Sequence, residues 1–178
     1  MPSNAIVKSK LFPPRIAGRT LPRQRLLTRL LDARQMRCIV LQGLAGCGKT
    51  TLATTCRQAL LPMGFDVAWL TLSADDNDIA RWLDHLLASF AQIDPALTAE
   101  ASLLAGRGGD SEAVERALIS LVQTLALRSR DLTLFLDDLD HLTDIGSRWA
   151  LQWMIDNAPP NLHFVLISRR PPPVSLSR

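Results

Sequence analysis

Cysteine is scarce in this chain of 178 residues, and the three present, Cys38, Cys47 and Cys56, are too few and too odd in number for a disulfide scaffold. A reducing compartment is therefore favoured. Charge of one sign is scarce as well. Twenty Lys and Arg against seventeen Asp and Glu leave a net +3 spread along the chain, which is not the footprint of a dedicated nucleic-acid binder. The N-terminus has no apolar run of signal-peptide length, and no stretch approaches the roughly 18 apolar residues of a membrane span. No repeat of solenoid period occurs. These absences predict a soluble, cytoplasmic protein. With 47% apolar and 21% charged residues the chain is too hydrophobic to be disordered. Its length suits one domain able to bury roughly 70% of its unfolded surface.

What is present is an alternation of helices and strands. Residues 1–22 read as an extended arm, because Pro13, Pro14 and Pro22 each fix φ and remove a donor. A helix is predicted from about Arg23 to Arg34, with Leu26, Leu27, Leu30 and Leu31 on one face. Strands are predicted near 38–42, 65–72, 132–137 and 162–168. A helix from about Gly48 to Leu61 is closed by Pro62 and Gly64. Two more follow: one carrying Ile79, Trp82, Leu83, Leu86, Leu87 and Phe90, the other opening at Asp110 or Ser111. The linker with Gly106, Gly108 and Gly109 between them reads as a mobile loop. A last helix carries Ile145, Trp149, Trp153 and Met154. The strands are continuous apolar runs, as a parallel sheet covered on both faces requires.

Between the first strand and its helix, Gly43-Leu44-Ala45-Gly46-Cys47-Gly48-Lys49-Thr50 satisfies every fixed position of the phosphate-binding loop, and Thr51 follows it. Glycines let the backbone turn its N–H groups inward as a nest for phosphate oxygens, and the helix N-terminus adds partial positive charge. Lys49 is expected on the β- and γ-phosphates and the Thr50 hydroxyl on Mg²⁺. Leu132–Leu136 drives a strand into the core and leaves Asp137 at its carboxyl end, the edge where open α/β sheets bind ligands. Asp137 is thus the expected second anchor for Mg²⁺. Asp138 could orient or deprotonate the attacking water, although it reaches less far than glutamate; alternatively Asp138 and Asp140 cap the following turn. Arg169 could sense the γ-phosphate or belong, with Arg170, to a solvated basic turn.

Five segments together resemble the MalT-like large ATP-binding regulators of the LuxR class, members of the signal-transduction ATPases with numerous domains (STAND). They are Lys10-Leu11 with Arg23-Gln24-Arg25-Leu26-Leu27; the loop Ala45–Leu52; Trp69-Leu70-Thr71-Leu72 with Asp75-Asp76-Asn77-Asp78 and Arg81-Trp82; Asp137-Asp138; and Ser168-Arg169. The chain departs from the family at Cys47, where an aromatic residue is usual, and at His141, which is shifted by one position. The resemblance implies an α/β fold of P-loop NTPase type, a three-layer sandwich with a mostly parallel sheet. Its predicted organisation is an arm over 1–22 and an ATPase core over 23–178. That core would lack the last strand, and the family's lid domain, helical repeats and helix-turn-helix are not seen in the sequence.

The remaining chemistry-bearing residues read as structural. His85 and His163 have no partners at metal-ligand spacing, and Trp82, Trp149 and Trp153 fall on helix stripes as core. Cys47 is a filler or, at a helix N-terminus, a reactive thiol. Asp75, Asp76 and Asp78 form a solvated turn capping the next helix, or bind a cation. The functional expectation is a Mg-ATP switch domain of a signal-responsive transcriptional regulator, exchanging ATP and ADP with slow hydrolysis at most. Its partners would be the rest of a larger regulator or another copy, with neither DNA nor membrane bound directly. The alternatives are a small-molecule phosphotransferase, with 98–110 as its lid, and a non-hydrolysing fragment acting through protein contacts.

Overall fold

A computed structural model describes residues 6–16, 18, 21–106 and 111–176. The chain runs α1 (Gln24–Asp32), β1 (Cys38–Gln42), α2 (Lys49–Leu60), β2 (Asp66–Thr71), α3 (Ile79–Ala91), α4 (Ala99–Ala105), α5 (Ser111–Ala126), β3 (Leu132–Asp137), α6 (Ile145–Asp156) and β4 (Leu162–Ser168). The four strands form one sheet in the order β1-β4-β3-β2, and every pair is parallel. No helix among the described residues is long and apolar enough to cross a membrane.

Alternation along the strands divides the core into two. Leu132, Leu134 and Leu136 of β3, with Leu162, Phe164 and Leu166 of β4, meet α3, α4, α5 and α6 on one face. Phe135, Val165, Ile167 and Trp69 meet Leu30 of α1 and Ala53, Cys56 and Leu60 of α2 on the other. Helices on both faces make a three-layer sandwich, which is why β3 and β4 are buried along their whole length. Trp69 and Phe135 stack with ring centroids 5.4 Å apart, holding neighbouring strands in register. β1 is an edge strand among the described residues and is only half-buried.

Several local expectations change. The extended arm is interrupted by a 3₁₀ turn, Lys8–Leu11, because Leu11 turns inward and is buried in the α3–α6 core. Residues expected as a loop after position 98 hold α4, which buries Ala101 and packs against α3 and α5. That segment is helical scaffold, whereas Gly108, Gly109 and Asp110 lie outside the described residues. On α6 the core takes Ala150, Leu151, Met154 and Ile155, so Trp149 is 39% exposed and Ile145 is largely exposed. On α1, Leu26 likewise turns outward while Leu30 is buried.

Candidate functional site

The phosphate loop leaves the carboxyl end of β1 and is fastened at once to β4, where the Gly43 N–H donates to the Ser168 carbonyl at 3.2 Å. Its turn needs the left-handed backbone at Gly46 (φ 76°) and Gly48 (φ 83°). A side chain at either position would be strained. Gly48 is also the N-cap of α2 and offers no side chain, which leaves the first N–H groups of the helix for an anion. The Cys47 thiol packs over Gly43: a Cβ placed there would lie 2.8 Å from Sγ. Leu44, Ala45 and Gly46 are exposed on the loop's outer side.

Lys49 Nζ donates to the carbonyls of Gly43 (2.6 Å) and Leu44 (2.8 Å), so the ammonium lies within the loop. Thr50 points to the sheet, and its hydroxyl donates to Asp137 Oδ1 at 3.2 Å. Asp137 is 3% exposed and ends β3. Burial pushes its carboxyl above the usual carboxylate range and the neighbouring Asp138 charge adds to this, against the Thr50 and Asp138 N–H bonds and the Lys49 charge. Among the described residues no Lys or Arg ion pair neutralises Asp137. A hydroxyl and a buried carboxylate are two hard oxygen donors, the set Mg²⁺ takes when phosphate and water supply the rest. No group of three or more His, Cys, Asp or Glu side chains that could hold a metal ion occurs among the described residues.

Asp138 follows in the left-handed region (φ 54°), the sole non-glycine residue so placed among those described. It opens the short 3₁₀ helix Leu139–His141. Asp140 does not cap its own turn. It accepts the Ser168 hydroxyl (3.1 Å) and the N–H groups of Arg169 (2.7 Å) and Arg170 (3.2 Å). Burial acts to raise its carboxyl, but these bonds and the Arg169 charge outweigh that and hold it below the ordinary value. Both arginines are exposed, and Arg169 lines a shallow cleft of about 160 Å³ with Asp138, Asp140 and His141 at the carboxyl edge of the sheet.

Beside the loop lies a second cleft, of about 420 Å³, lined by Leu21, Pro22, Arg23, Leu27, Gly48 and Thr51 among others. The Arg23 guanidinium rests over Gly48, 3.4 Å from where a Cβ would stand. Thr51 is among the residues lining this cleft. In the sequence Arg23 stood out only as the first residue of the Arg23-Gln24-Arg25-Leu26-Leu27 segment that carries the resemblance, with no role attached to it.

The acidic turn departs most from expectation. Asp78 caps α3 by accepting the Arg81 N–H, as a capping turn should. Asp76, however, is fully buried. It accepts Lys10 Nζ at 2.7 Å, His85 Nδ1 at 2.7 Å and the Ser73 N–H at 2.7 Å. His85 Nε2 accepts the Val7 N–H, which puts the ring proton on Nδ1. Burial would raise the Asp76 carboxyl, yet the bonds from His85, Lys10 and Ser73 prevail and lower it. Sequence periodicity gave no sign of this network.

The profile of the AAA ATPase domain family matches residues 15–167. The chain is 29% identical over 168 residues to the serine/threonine-protein kinase PknK of Mycobacterium tuberculosis, covering 94% of this chain and 15% of that protein. It is 27% identical over 172 residues to the HTH-type transcriptional regulator MalT of Cronobacter sakazakii, covering 97% of this chain and 18% of that one. The chain thus spans less than a fifth of the length of these relatives. In fold it is similar to a chain in a structure of Drosophila ORC bound to DNA, with a TM-score of 0.57 at 17% identity over 87% of this chain and 40% of that one.

Proposed function

Since the chain belongs to the AAA ATPase domain family, we propose that it binds Mg-ATP as the nucleotide-dependent switch of a larger signal-responsive regulator. The observation that carries this reading is the Thr50–Asp137 contact at the mouth of a glycine-turned loop. It joins a helix N-terminus and a strand end that are far apart in sequence. The backbone N–H groups at the start of α2, from Gly48 to Thr50, bind phosphate oxygens, while those of Gly43 and Cys47 are held by the Ser168 and Leu44 carbonyls, and Lys49 exchanges its two carbonyl partners for the β- and γ-phosphates. Thr50 and Asp137 would hold Mg²⁺, which would supply charge neutralisation of the triphosphate. Asp138 orients water at the γ-phosphate, and Arg169 balances charge there. An aspartate reaches less far than a glutamate, in keeping with slow hydrolysis at most, and the bound nucleotide acts chiefly by biasing the domain between states.

The similarity to a transcriptional regulator supports a role in gene control, exercised in the cytoplasm through the rest of a larger chain or a second copy. Isothermal titration with MgATP tests the reading. The wild type is expected to saturate, and Lys49→Ala to bind about 100-fold more weakly, about 2.7 kcal/mol. Absence of saturable binding, or equal binding by the variant, overturns it.

A further inference from the structure

Asn77, inside the acidic turn, spends its whole carboxamide on one task. Nδ2 donates to the carbonyls of Ala74 (3.1 Å) and His141 (2.9 Å). Oδ1 accepts the N–H groups of Thr143 (2.7 Å) and Asp144 (2.8 Å). All four hydrogen-bonding capacities of the amide are used, and three of them reach the segment between Asp138 and α6. The adjacent Asp76 carbonyl accepts the Ser147 hydroxyl at 3.0 Å, and Asp144 accepts the Ser147 N–H at 2.9 Å, which fixes the start of α6 to the same turn. The turn itself is anchored through Asp76 to Lys10 and His85.

The segment so pinned is the one that carries the γ-phosphate side of the site. It begins at Asp138, whose left-handed backbone has to be held by its surroundings. It includes Asp140, which grips the Ser168 hydroxyl and the backbone of Arg169 and Arg170. We infer that Asn77 is a positioning residue for nucleotide recognition: it fixes the 138–144 segment, and through Asp140 it places Arg169, so that the site distinguishes a nucleoside triphosphate from a diphosphate. The inference rests on the nucleotide-binding reading above. The phosphate loop, Thr50 and Asp137 make no hydrogen bond with Asn77 among those described, so binding of the shared diphosphate should not depend on it.

The test is titration of wild type, Asn77→Ala and Asn77→Asp with MgATP and with MgADP, with and without Arg169→Ala. Asn77→Asp keeps the acceptor for Thr143 and Asp144 and loses the donor to His141. In both variants the expected ADP affinity is within twofold of wild type, while the preference for ATP over ADP falls about fivefold or more in Asn77→Ala and less in Asn77→Asp. In the Arg169→Ala background, Asn77→Ala should cause no further loss of preference, which a merely structural role would not produce. Hydrogen exchange of 139–144 and 168–170 should quicken while that of 43–50 does not. An unchanged ATP:ADP ratio, equal loss of both nucleotides, additive effects with Arg169→Ala, or a wild type without preference overturns the inference. A wild type that binds neither nucleotide overturns the binding reading itself and this inference with it.

Discussion

Two carboxylates are buried among the described residues, and their surroundings push them in opposite directions. Asp137 is raised above its ordinary range, with a threonine hydroxyl and backbone N–H as partners and Lys49 acting only at a distance. Asp76 is lowered, with an ammonium, an imidazole N–H and a backbone N–H directly on its oxygens. Burial is the largest single influence on both; what differs is compensation. Asp76 is satisfied from within the chain and acts as scaffold. Asp137 has no cation on its oxygens among the described residues, an arrangement that the proposed role as a metal anchor would use.

The comparison can be broken or sharpened by substitution. The largest effect is expected at Asp76. Asp76→Ala strands the Lys10 ammonium and the His85 N–H, and should lower stability in urea unfolding by about 3–5 kcal/mol. A loss below about 1 kcal/mol would mean that the network is ornamental. Asp137→Asn should do the reverse: the ligand-free chain gains about 1 kcal/mol, while MgATP affinity falls about tenfold or more, read by urea unfolding and calorimetry. A destabilised Asp137→Asn would erase the contrast.

Acidity separates the pair further. For Asp76, whose folded value is below the ordinary 3.8, the carboxylate's stabilisation is present above that value and is lost as pH falls through the folded one. For Asp137, whose folded value is raised, the relative stability is full below 3.8 and is lost as pH rises through the folded value. The stability differences of Asp76→Asn and Asp137→Asn from wild type should therefore both vanish in acid, from opposite signs, with Asp137→Asn vanishing at the higher pH. The smallest effect belongs to Asp75→Ala, next in sequence to Asp76. Its ion pair with Arg81 is 3.7 Å long and solvent-exposed, so removal should change stability by less than about 0.5 kcal/mol.

Asp75 and Asp76 also show where sequence reasoning stops. Both sit in a polar run between a strand and a helix, and the one local mark of Asp76 is its place three residues after Ser73, whose N–H it accepts in a capping box. Asp76 is distinguished by Lys10 and His85, which arrive through the fold. The phosphate loop was legible for the opposite reason: its geometry is local, made by glycine backbone and the first turn of a helix, so eight residues specify it. The four strands were legible because a sheet covered on both faces needs continuous apolar runs. The helix Ala99–Ala105 was hidden by its shortness beside glycines, and is held by packing against α3 and α5. Trp149 misled because α6 buries positions 150, 151, 154 and 155, and the stripe through 145 and 149 lies one step around the helix.

The hydrogen bond from Gly43 to Ser168 has a consequence for the order of synthesis. β1 pairs with β4 and with no other described strand, so the loop that follows β1 cannot be braced until the ribosome has made β4, about 120 residues later, a wait on the order of ten seconds. β2 and β3 wait on the same strand to join the sheet's edge. The loop after β1, although encoded early, is among the last of the described parts to be completed, because its brace comes from the last of the four described strands.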